Sequence, residues 1–150
     1  MKLIHINKNI DYLEPVMNIV FNEWGKNFSS SKESKLNKIR QAIQANEKYP
    51  QIYALTENNK VIGSFSFLDH ELEGSDLSPW LACVVIDKPY RSKGYGKILL
   101  QHINKIIDKT YPIVYLTTDM TGFYEKIGFK LIKLIDNNGK NNRLYCKTTK

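Results

Sequence analysis

The chain has 150 residues, of which 42% are hydrophobic and 25% charged, a composition typical of water-soluble domains. This length predicts one domain, residues 1–150, with a hydrophobic core of adequate size. The longest apolar run, Leu81 to Ile86, is too short to cross a membrane, and the alternating N-terminal segment lacks the apolar block of a signal peptide. We therefore expect a cytoplasmic protein with no membrane partner.

Charge is distributed unevenly along the chain. Residues 1–75 hold 9 basic and 9 acidic residues, whereas residues 76–150 hold 13 basic and 6 acidic ones, which accounts for the formal net charge of +7. A nucleic-acid surface and a site for one strongly anionic cofactor both explain this excess. The cofactor is favoured, because the basic residues do not form a run with interleaved aromatic stacking positions. Two separate cysteines, Cys83 and Cys146, and three scattered histidines predict buried free thiols and no metal site.

The first half of the chain predicts a strand, two helices and a hairpin. Residues 2–7 alternate as a strand does, and Asp11 and Glu14 have the spacing of a capping box at the start of a helix. A second helix follows. Strands at 51–56 and 60–68 are joined by a short polar turn. The residues that repeat at helical spacing in the first helix are Leu13, Val16, Met17, Val20, Phe21 and Trp24.

The second half alternates strands and helices. An acidic loop at residues 69–78 leads into a central strand, Pro79 to Asp87. A helix, a strand at 113–117 and a short helix at 120–127 closed by the following glycine come next. Two last strands, Phe129 to Ile135 and Arg143 to Cys146, surround Asn137-Asn138-Gly139, a composition typical of a hairpin turn. The predicted order is β-α-α-β-β-β-α-β-α-β-β.

The segment between the central strand and the next helix is basic and rich in glycine. It reads Arg91-Ser92-Lys93-Gly94-Tyr95-Gly96-Lys97. The start of a helix presents unpaired N–H groups and the positive end of its dipole, so we expect this segment to bind an anion such as phosphate. Gly94 and Gly96 lack the spacing of a P-loop, and Leu99 stands where a dinucleotide fingerprint needs a third small residue. The pattern R-x-x-G-x-G resembles the acyl-CoA pyrophosphate loop of the GNAT superfamily of N-acetyltransferases.

A second signature is similar to the same superfamily. Thr121-Gly122-Phe123-Tyr124-Glu125-Lys126-Ile127-Gly128-Phe129 resembles its F-Y-x-K-x-G-F motif, and Ser78-Pro79-Trp80-Leu81-Ala82 resembles the opening of the central strand in one bacterial branch. The resemblance implies a GNAT-like α/β (α+β) fold. Its sheet would be mixed and mostly antiparallel, with about seven strands and helices on both faces, and splayed between strands four and five.

The resemblance also implies a site for acetyl-CoA as co-substrate, with no metal. Val84 and Ile86 would offer main-chain groups to the pantetheine arm, and a backbone N–H at a bulge near Val84 or Val85 would face the oxyanion. Arg91 and Lys93 would add charge at the pyrophosphate. The cofactor-binding residues implied in this way are Val84, Val85, Ile86, Arg91, Ser92, Lys93, Gly94, Tyr95, Gly96, Lys97 and Asp119.

Tyr124 is the catalytic residue that the resemblance implies, and the alternative is a core aromatic that packs under Phe129. A tyrosine hydroxyl, with an ordinary pKa of about 10, can supply a proton to the departing CoA thiolate. Many family members keep a carboxylate base on the central strand, at the position where this chain has Trp80. That side chain would either wall the acceptor pocket or pack in the core. Asp76 would then act as the base through water, with His70 and Glu71 as alternatives.

We therefore expect an acetyl-CoA-dependent N-acetyltransferase that moves an acetyl group to a primary amine by direct attack in a ternary complex. The acidic loop at 69–78 favours a cationic acceptor, either a polyamine, an aminoglycoside-like compound or an amine of a peptide. A non-catalytic acyl-CoA sensor is the alternative, because the strand carboxylate is missing. A nucleic-acid-binding protein ranks below it. The chain would act as a monomer or a homodimer.

Overall fold

The architecture is one β-sheet with helices between its strands, seen in a computed structural model that describes residues 1–137 and 140–149. The elements in chain order are Lys2–His5 (β1), Leu13–Trp24 (α1), Lys32–Gln44 (α2), Gln51–Glu57 (β2), Lys60–Leu68 (β3), Trp80–Ile86 (β4), Tyr95–Thr110 (α3), Ile113–Thr118 (β5), Lys130–Asn137 (β6) and Lys140–Thr148 (β7). The sheet order is β1-β2-β3-β4-β5-β7-β6. β4 and β5 are parallel, and the pairs β1–β2, β2–β3, β5–β7 and β6–β7 are antiparallel. The predicted mixed, mostly antiparallel sheet is confirmed.

The chain divides into two compact units. The first comprises Met1–Phe67 and Cys83–Leu99, and the second comprises Leu68–Ala82 and the chain from Leu100 onward. In the first unit, the inner face of α1 packs with α2 and the strands into one core. Burying a large aliphatic side chain stabilises a fold by about 1.5–3 kcal/mol, so this face accounts for much of the stability of the unit. The buried residues of α1 are Leu13, Val16, Met17, Ile19 and Val20, and all but Ile19 were predicted.

The start of the first unit differs from the prediction in two places. β1 ends at His5 rather than at residue 7, because the chain turns there into a short 3-10 helix that buries Ile6 completely. The capping box predicted for Asp11 and Glu14 is wrong. Asp11 lies in a further 3-10 turn, and Tyr12, which precedes α1, is helical and makes no side-chain cap. Because the chain is already helical there, no residue takes the extended N-cap conformation that a capping side chain needs.

The second unit is built on β5, β7 and β6. Val114 and Leu116 of β5 are buried, as are Leu144 and Tyr145 of β7. The predicted final pair of strands is confirmed, and both strands are longer than the sequence indicated. The predicted turn falls on Asn138 and Gly139, which lie outside the described residues.

The helix predicted at residues 120–127 is half as long in the structure. Only Tyr124–Ile127 is helical, as a single 3-10 turn. Gly122 has a φ of +82°, a left-handed conformation that ends any helix running through it. At the other end, Gly128 has a φ of +95° and closes the turn as its C-cap, as predicted.

β4 and β5 pair over a short distance only. Their parallel ladder has the single Cα pair Trp80↔Tyr115, and the Tyr115 N–H donates to the Pro79 carbonyl at 2.9 Å. Strands of seven and six residues that pair at one position splay along the rest of their length. This agrees with the splay predicted between strands four and five.

Candidate active site

Residues 91–97, which end the connection after β4 and include the first three residues of α3, are here called the anion loop. Asp87 accepts the backbone N–H of the next residue at 3.0 Å and begins a 3-10 turn that contains Pro89. Ser92 and Gly94 then have φ angles of +64° and +84°, and α3 begins directly afterwards. Within residues 1–137 and 140–149, the N–H groups from Ser92 to Gly94 donate to no backbone carbonyl. Together with the first N–H groups of α3, they form a surface that can hold an anion.

Arg91 is already paired in the structure. Its Nε donates to the Ile86 carbonyl at 2.7 Å, and its Nη2 donates to Glu23 Oε2 at 2.7 Å. The guanidinium therefore joins the end of β4 to α1. Arg91 was predicted to add positive charge at a pyrophosphate. Because the Glu23 carboxylate already pairs with the guanidinium, only part of that charge is available to a ligand.

Of the other side chains of the anion loop, two lysines are exposed to solvent and one tyrosine is hydrogen-bonded within the protein. Lys93 is exposed, with its ammonium 5.9 Å from the centroid of the Tyr90 ring, and Lys97 is exposed in the first turn of α3. The Tyr95 hydroxyl donates to Glu57 Oε2 at 2.7 Å, and this hydrogen bond raises the pKa of Tyr95. The Tyr95 side chain is thus engaged within the protein, and only its backbone is available to an anion.

At the end of β4, the backbone N–H and C=O groups of alternate residues face β3 or point away from it. The Asp87 N–H donates to the Ile62 carbonyl of β3 at 2.8 Å. Because backbone groups of alternate residues in a strand point to opposite neighbours, Val85 also faces β3, and Val84 and Ile86 point away from it. On that side the Ile86 carbonyl accepts the hydrogen bond from the Arg91 guanidinium at 2.7 Å.

The sequence did not reveal where β4 is distorted. Cys83 has a φ of +55°, in the left-handed region that non-glycine residues seldom adopt. The bulge was predicted near Val84 or Val85, and the distorted residue directly precedes Val84. No sequence signal could have located it, because cysteine has no preference for positive φ. Cys83 and Cys146 form no disulfide within the described residues, and both are half-buried rather than buried as predicted.

Tyr124 lies in the second unit and begins its 3-10 turn. The residue is 6% exposed, and its ring meets those of Phe123 and Phe129 edge-on, with centroid distances of 4.9 and 6.0 Å. Burial raises the pKa of Tyr124 well above its ordinary value of 10.0. The hydroxyl therefore stays protonated at physiological pH and can act as a hydrogen-bond donor.

The Glu125 side chain fixes the chain segment that precedes this 3-10 turn. Its Oε1 accepts the Gly122 N–H at 3.0 Å, and its Oε2 accepts the Tyr145 hydroxyl at 3.0 Å. The hydrogen bond from Gly122 is the main reason that the pKa of Glu125 is lowered. Sequence analysis missed this role. The position of an acidic side chain in a first helical turn is the signal that could have indicated it.

The three residues considered as general base share one exposed loop between β3 and β4. Asp76 and Glu71 are exposed, and the side chain of His70 is 75% exposed. His70 Nε2 lies 3.2 Å from Asp69 Oδ2. Asp69 also accepts the Ser78 hydroxyl at 2.8 Å, which ties the two ends of the loop together.

Trp80 packs in the core of the second unit. It is fully buried, its Nε1 donates to the Leu77 carbonyl at 2.7 Å, and its ring centroid lies 5.6 Å from that of Tyr115. Of its two predicted roles, core packing is the one observed. Asp119, the remaining predicted cofactor residue, is exposed just beyond β5.

The part of the chain that the structure describes contains neither a metal-binding cluster nor a membrane-spanning helix. No three histidine, cysteine, aspartate or glutamate side chains come together there as a group that could hold a metal ion. None of the helices in those ranges has the length and apolar character needed to cross a bilayer.

The sequence model of the acetyltransferase (GNAT) domain matches residues 48–131, which is more than half of the chain. This chain belongs to the GNAT acetyltransferase family. The matched region contains the anion loop and the turn that carries Tyr124, so the family assignment and the two signatures rest on the same segments. As a GNAT acetyltransferase, the chain is an acyl-transfer enzyme.

Solved GNAT structures share the fold over the whole chain. An aminoglycoside 6'-N-acetyltransferase complexed with coenzyme A is 15% identical, with a TM-score of 0.72 and coverage of 99% of this chain and 97% of that one. An N-acetyltransferase from Staphylococcus aureus Mu50 is 16% identical, with a TM-score of 0.73 and complete coverage of both chains. A GNAT-family acetyltransferase from the same organism is 21% identical, with a TM-score of 0.67 and 99% coverage of each. No curated protein sequence matches the chain.

Proposed function

We propose that this GNAT acetyltransferase moves the acetyl group of acetyl-CoA to a primary amine, by direct attack in a ternary complex. The observation that carries the proposal is the anion loop, where N–H groups that find no backbone acceptor among the described residues precede a helix of 16 residues. A helix start of this kind attracts phosphate through both its N–H groups and its dipole. The coenzyme A complex of a structural neighbour supports the same cofactor class.

The residues of the first unit fit a coenzyme A molecule. Lys93 and Lys97 are exposed cations on the anion loop, and Gly94 has no Cβ at its left-handed φ. Support for the pantetheine arm comes from Val84, whose backbone groups point away from β3 and could pair with an extended chain as an added strand does. Arg91 contributes by bracing the loop rather than by free charge.

Tyr124 acts on the leaving sulfur in this proposal. Bound acetyl-CoA supplies the acetyl group as a thioester, and the thiolate that departs needs a donor. The raised pKa of Tyr124 lies above that of a thiol, which is about 8.5. The phenol therefore donates a hydrogen bond to the sulfur instead of giving up its proton outright, and this bond stabilises the developing charge.

The acceptor amine has to lose a proton before it attacks, because an alkylammonium has a pKa of about 10.4. We assign this step to water held by Asp76, His70 or Glu71 in the acidic loop at 69–78. The exposed carboxylates of that loop also favour a cationic acceptor, and we propose a polyamine, an aminoglycoside or a lysine side chain as the class. A backbone N–H at Val84 or Val85, beside the distorted Cys83, would face the oxyanion.

Calorimetry with acetyl-CoA tests the cofactor first. We expect micromolar binding by the wild type and none by Gly94→Glu, which puts a negative charge in the anion loop. Gly94→Ala is the matched control, because a Cβ there meets no protein atom within 4 Å and only the backbone conformation is strained. Absence of binding by the wild type would overturn the proposal.

Turnover is then measured as thiol release from acetyl-CoA with kanamycin, spermidine, Nα-acetyl-lysine or uncharged aniline as acceptor. A cationic amine should be the best of the four. Equal turnover of aniline would remove the electrostatic argument from the acidic loop.

The Tyr124→Phe variant separates an enzyme from an acyl-CoA sensor. We expect it to bind acetyl-CoA as the wild type does and to lose about 100-fold or more in kcat, the usual contribution of a positioned donor. Unchanged turnover would exclude Tyr124 from the reaction.

A further inference from the structure

One buried lysine of the second unit has no part in the reaction as proposed. The side chain of Lys147, on β7, is 8% exposed. Its ammonium donates to the Ile127 carbonyl at 2.6 Å and to Asn104 Oδ1, and it lies 3.2 Å from Asp108 Oδ1. An ammonium has three N–H donors, and here each of them has an acceptor.

This arrangement joins three elements at one charged group. Removing an ammonium from water is strongly unfavourable unless hydrogen bonds and an opposite charge compensate it. Asn104 and Asp108 lie one turn apart on α3 and therefore on the same helix face. Asn104 supplies a side-chain oxygen as acceptor, and Asp108 supplies the compensating negative charge. The third acceptor is the main-chain carbonyl of Ile127, in the turn that begins with Tyr124.

The main-chain acceptor is the last carbonyl of that turn. Within the turn, the Tyr124 carbonyl accepts the Phe129 N–H at 3.3 Å. The Ile127 carbonyl lies at the negative end of the turn, where helical geometry leaves it without a partner, and the Lys147 ammonium satisfies it. A Cβ on the adjacent Gly128 would lie 3.8 Å from Lys147 Nζ, so the lysine sits directly against the C-cap.

We propose that Lys147 is a positioning residue for Tyr124. It anchors the end of the 3-10 turn to α3, while Glu125 holds the segment before the turn. This inference rests on the proposed function, since that function gives Tyr124 its role. Without the ammonium, the Ile127 carbonyl loses its partner, the turn loses one of its two anchors, and the Tyr124 hydroxyl occupies a wider range of positions. The rate of transfer then falls, while acetyl-CoA binding at the anion loop is kept.

The test compares Lys147→Met with Lys133→Met, which removes an exposed lysine from the neighbouring strand β6. Amide hydrogen exchange at Phe129 is measured in both, together with acetyl-CoA binding and kcat. In Lys147→Met we expect exchange at Phe129 to accelerate about tenfold or more, because local opening becomes easier. We expect kcat to fall about tenfold with unchanged binding of acetyl-CoA, since misplacing a reacting group affects the rate of the chemical step. Lys133→Met should change none of these.

The same substitution in the Tyr124→Phe background decides whether Lys147 acts through Tyr124. We expect no further loss of kcat there, because residues that work through one another are not additive. Independent, multiplicative losses would overturn the proposal, and so would wild-type exchange at Phe129 in Lys147→Met.

A second variant covers the case in which Lys147→Met does not fold. Asn104→Ala removes one acceptor of the ammonium and should show the same changes at smaller amplitude; wild-type exchange and kcat in it would refute the anchor. Full turnover by Tyr124→Phe alone would count against the proposed function, and the exchange measurement would still judge the anchor separately.

Discussion

Arg91 and Glu23 form an ion pair of 2.7 Å between the anion loop and α1, although 68 residues separate them in the sequence. The same guanidinium donates to the Ile86 carbonyl at 2.7 Å. A planar fork of donors can hold both acceptors at once, and a lysine ammonium at the end of a flexible chain cannot match that geometry. Arg91 thus sets the position of the loop from two sides.

We expect Arg91→Lys to lower the free energy of unfolding by about 1–2 kcal/mol, because one hydrogen-bonded acceptor is left unsatisfied. Glu23→Gln should have less effect, under about 1 kcal/mol, since this ion pair is partly exposed. Urea unfolding measures both. A loss confined to acetyl-CoA affinity, with stability unchanged, would mean that Arg91 serves the ligand instead of bracing the loop.

Gly63 allows β3 to approach β4 closely. A Cβ there would lie 2.9 Å from the Val85 carbonyl oxygen and 2.7 Å from Ile86 Cδ1, and the carbonyl cannot move without disturbing the strand. Gly63→Ala should therefore destabilise the protein by about 1–3 kcal/mol, as overpacking does. Gly74→Ala is the control, because a Cβ at that position meets nothing within 4 Å and only its positive φ is strained. Equal unfolding free energies for the two variants would contradict this account.

Trp80→Phe tests whether this side chain serves the core or the acceptor. The substitution leaves a cavity and removes the hydrogen bond to the Leu77 carbonyl, so we expect a loss of about 2–3 kcal/mol in unfolding free energy. The KM for the acceptor amine should stay within about twofold, since a fully buried side chain touches no substrate. A large change in this KM with little change in stability would indicate that Trp80 lines the acceptor pocket.

The pH dependence of kcat should have no descending limb from Tyr124 below about pH 10. The donor has to be protonated, and burial raises its pKa above 10.0, so its loss of the proton falls at still higher pH. The rate should instead rise from neutral pH as the acceptor amine loses its proton. A descending limb between about pH 8 and 9 that disappears in Tyr124→Phe would contradict the raised pKa.

Stability should respond to pH for the same reason. The folded protein keeps the Tyr124 proton above about pH 10, where the unfolded chain loses it, so the stability is fully present below that pH and declines as pH rises further. Tyr124→Phe should show a shallower decline in thermal unfolding temperature above about pH 10.

Much of the framework could be predicted from local patterns. Helical spacing identified the buried face of α1, from Leu13 to Val20, because a helix shows one stripe to a core wherever that core lies. Gly128 was predicted as a C-cap because only the left-handed region ends a helix in this way. Failures occurred where local and tertiary preferences differ: Asp11 has the spacing of a cap, but burial of Ile6 leads the chain into 3-10 turns before α1 begins.

By itself, the sequence determined the order of the elements, because these depend on contacts between near neighbours in the chain, which spacing and residue type express directly. The anion loop at 91–97 was proposed from its glycines and basic residues, and the candidate donor Tyr124 from the resemblance to the GNAT superfamily. Only the tertiary structure decided that Arg91 pairs with Glu23, that Trp80 belongs to the core and that Lys147 caps the Tyr124 turn. The ion pair and the cap join residues 68 and 20 positions apart, and the fate of Trp80 depends on what packs around it. Contacts between residues so far apart in the sequence, and the burial of a side chain, form only when the strands assemble. No local sequence pattern encodes them.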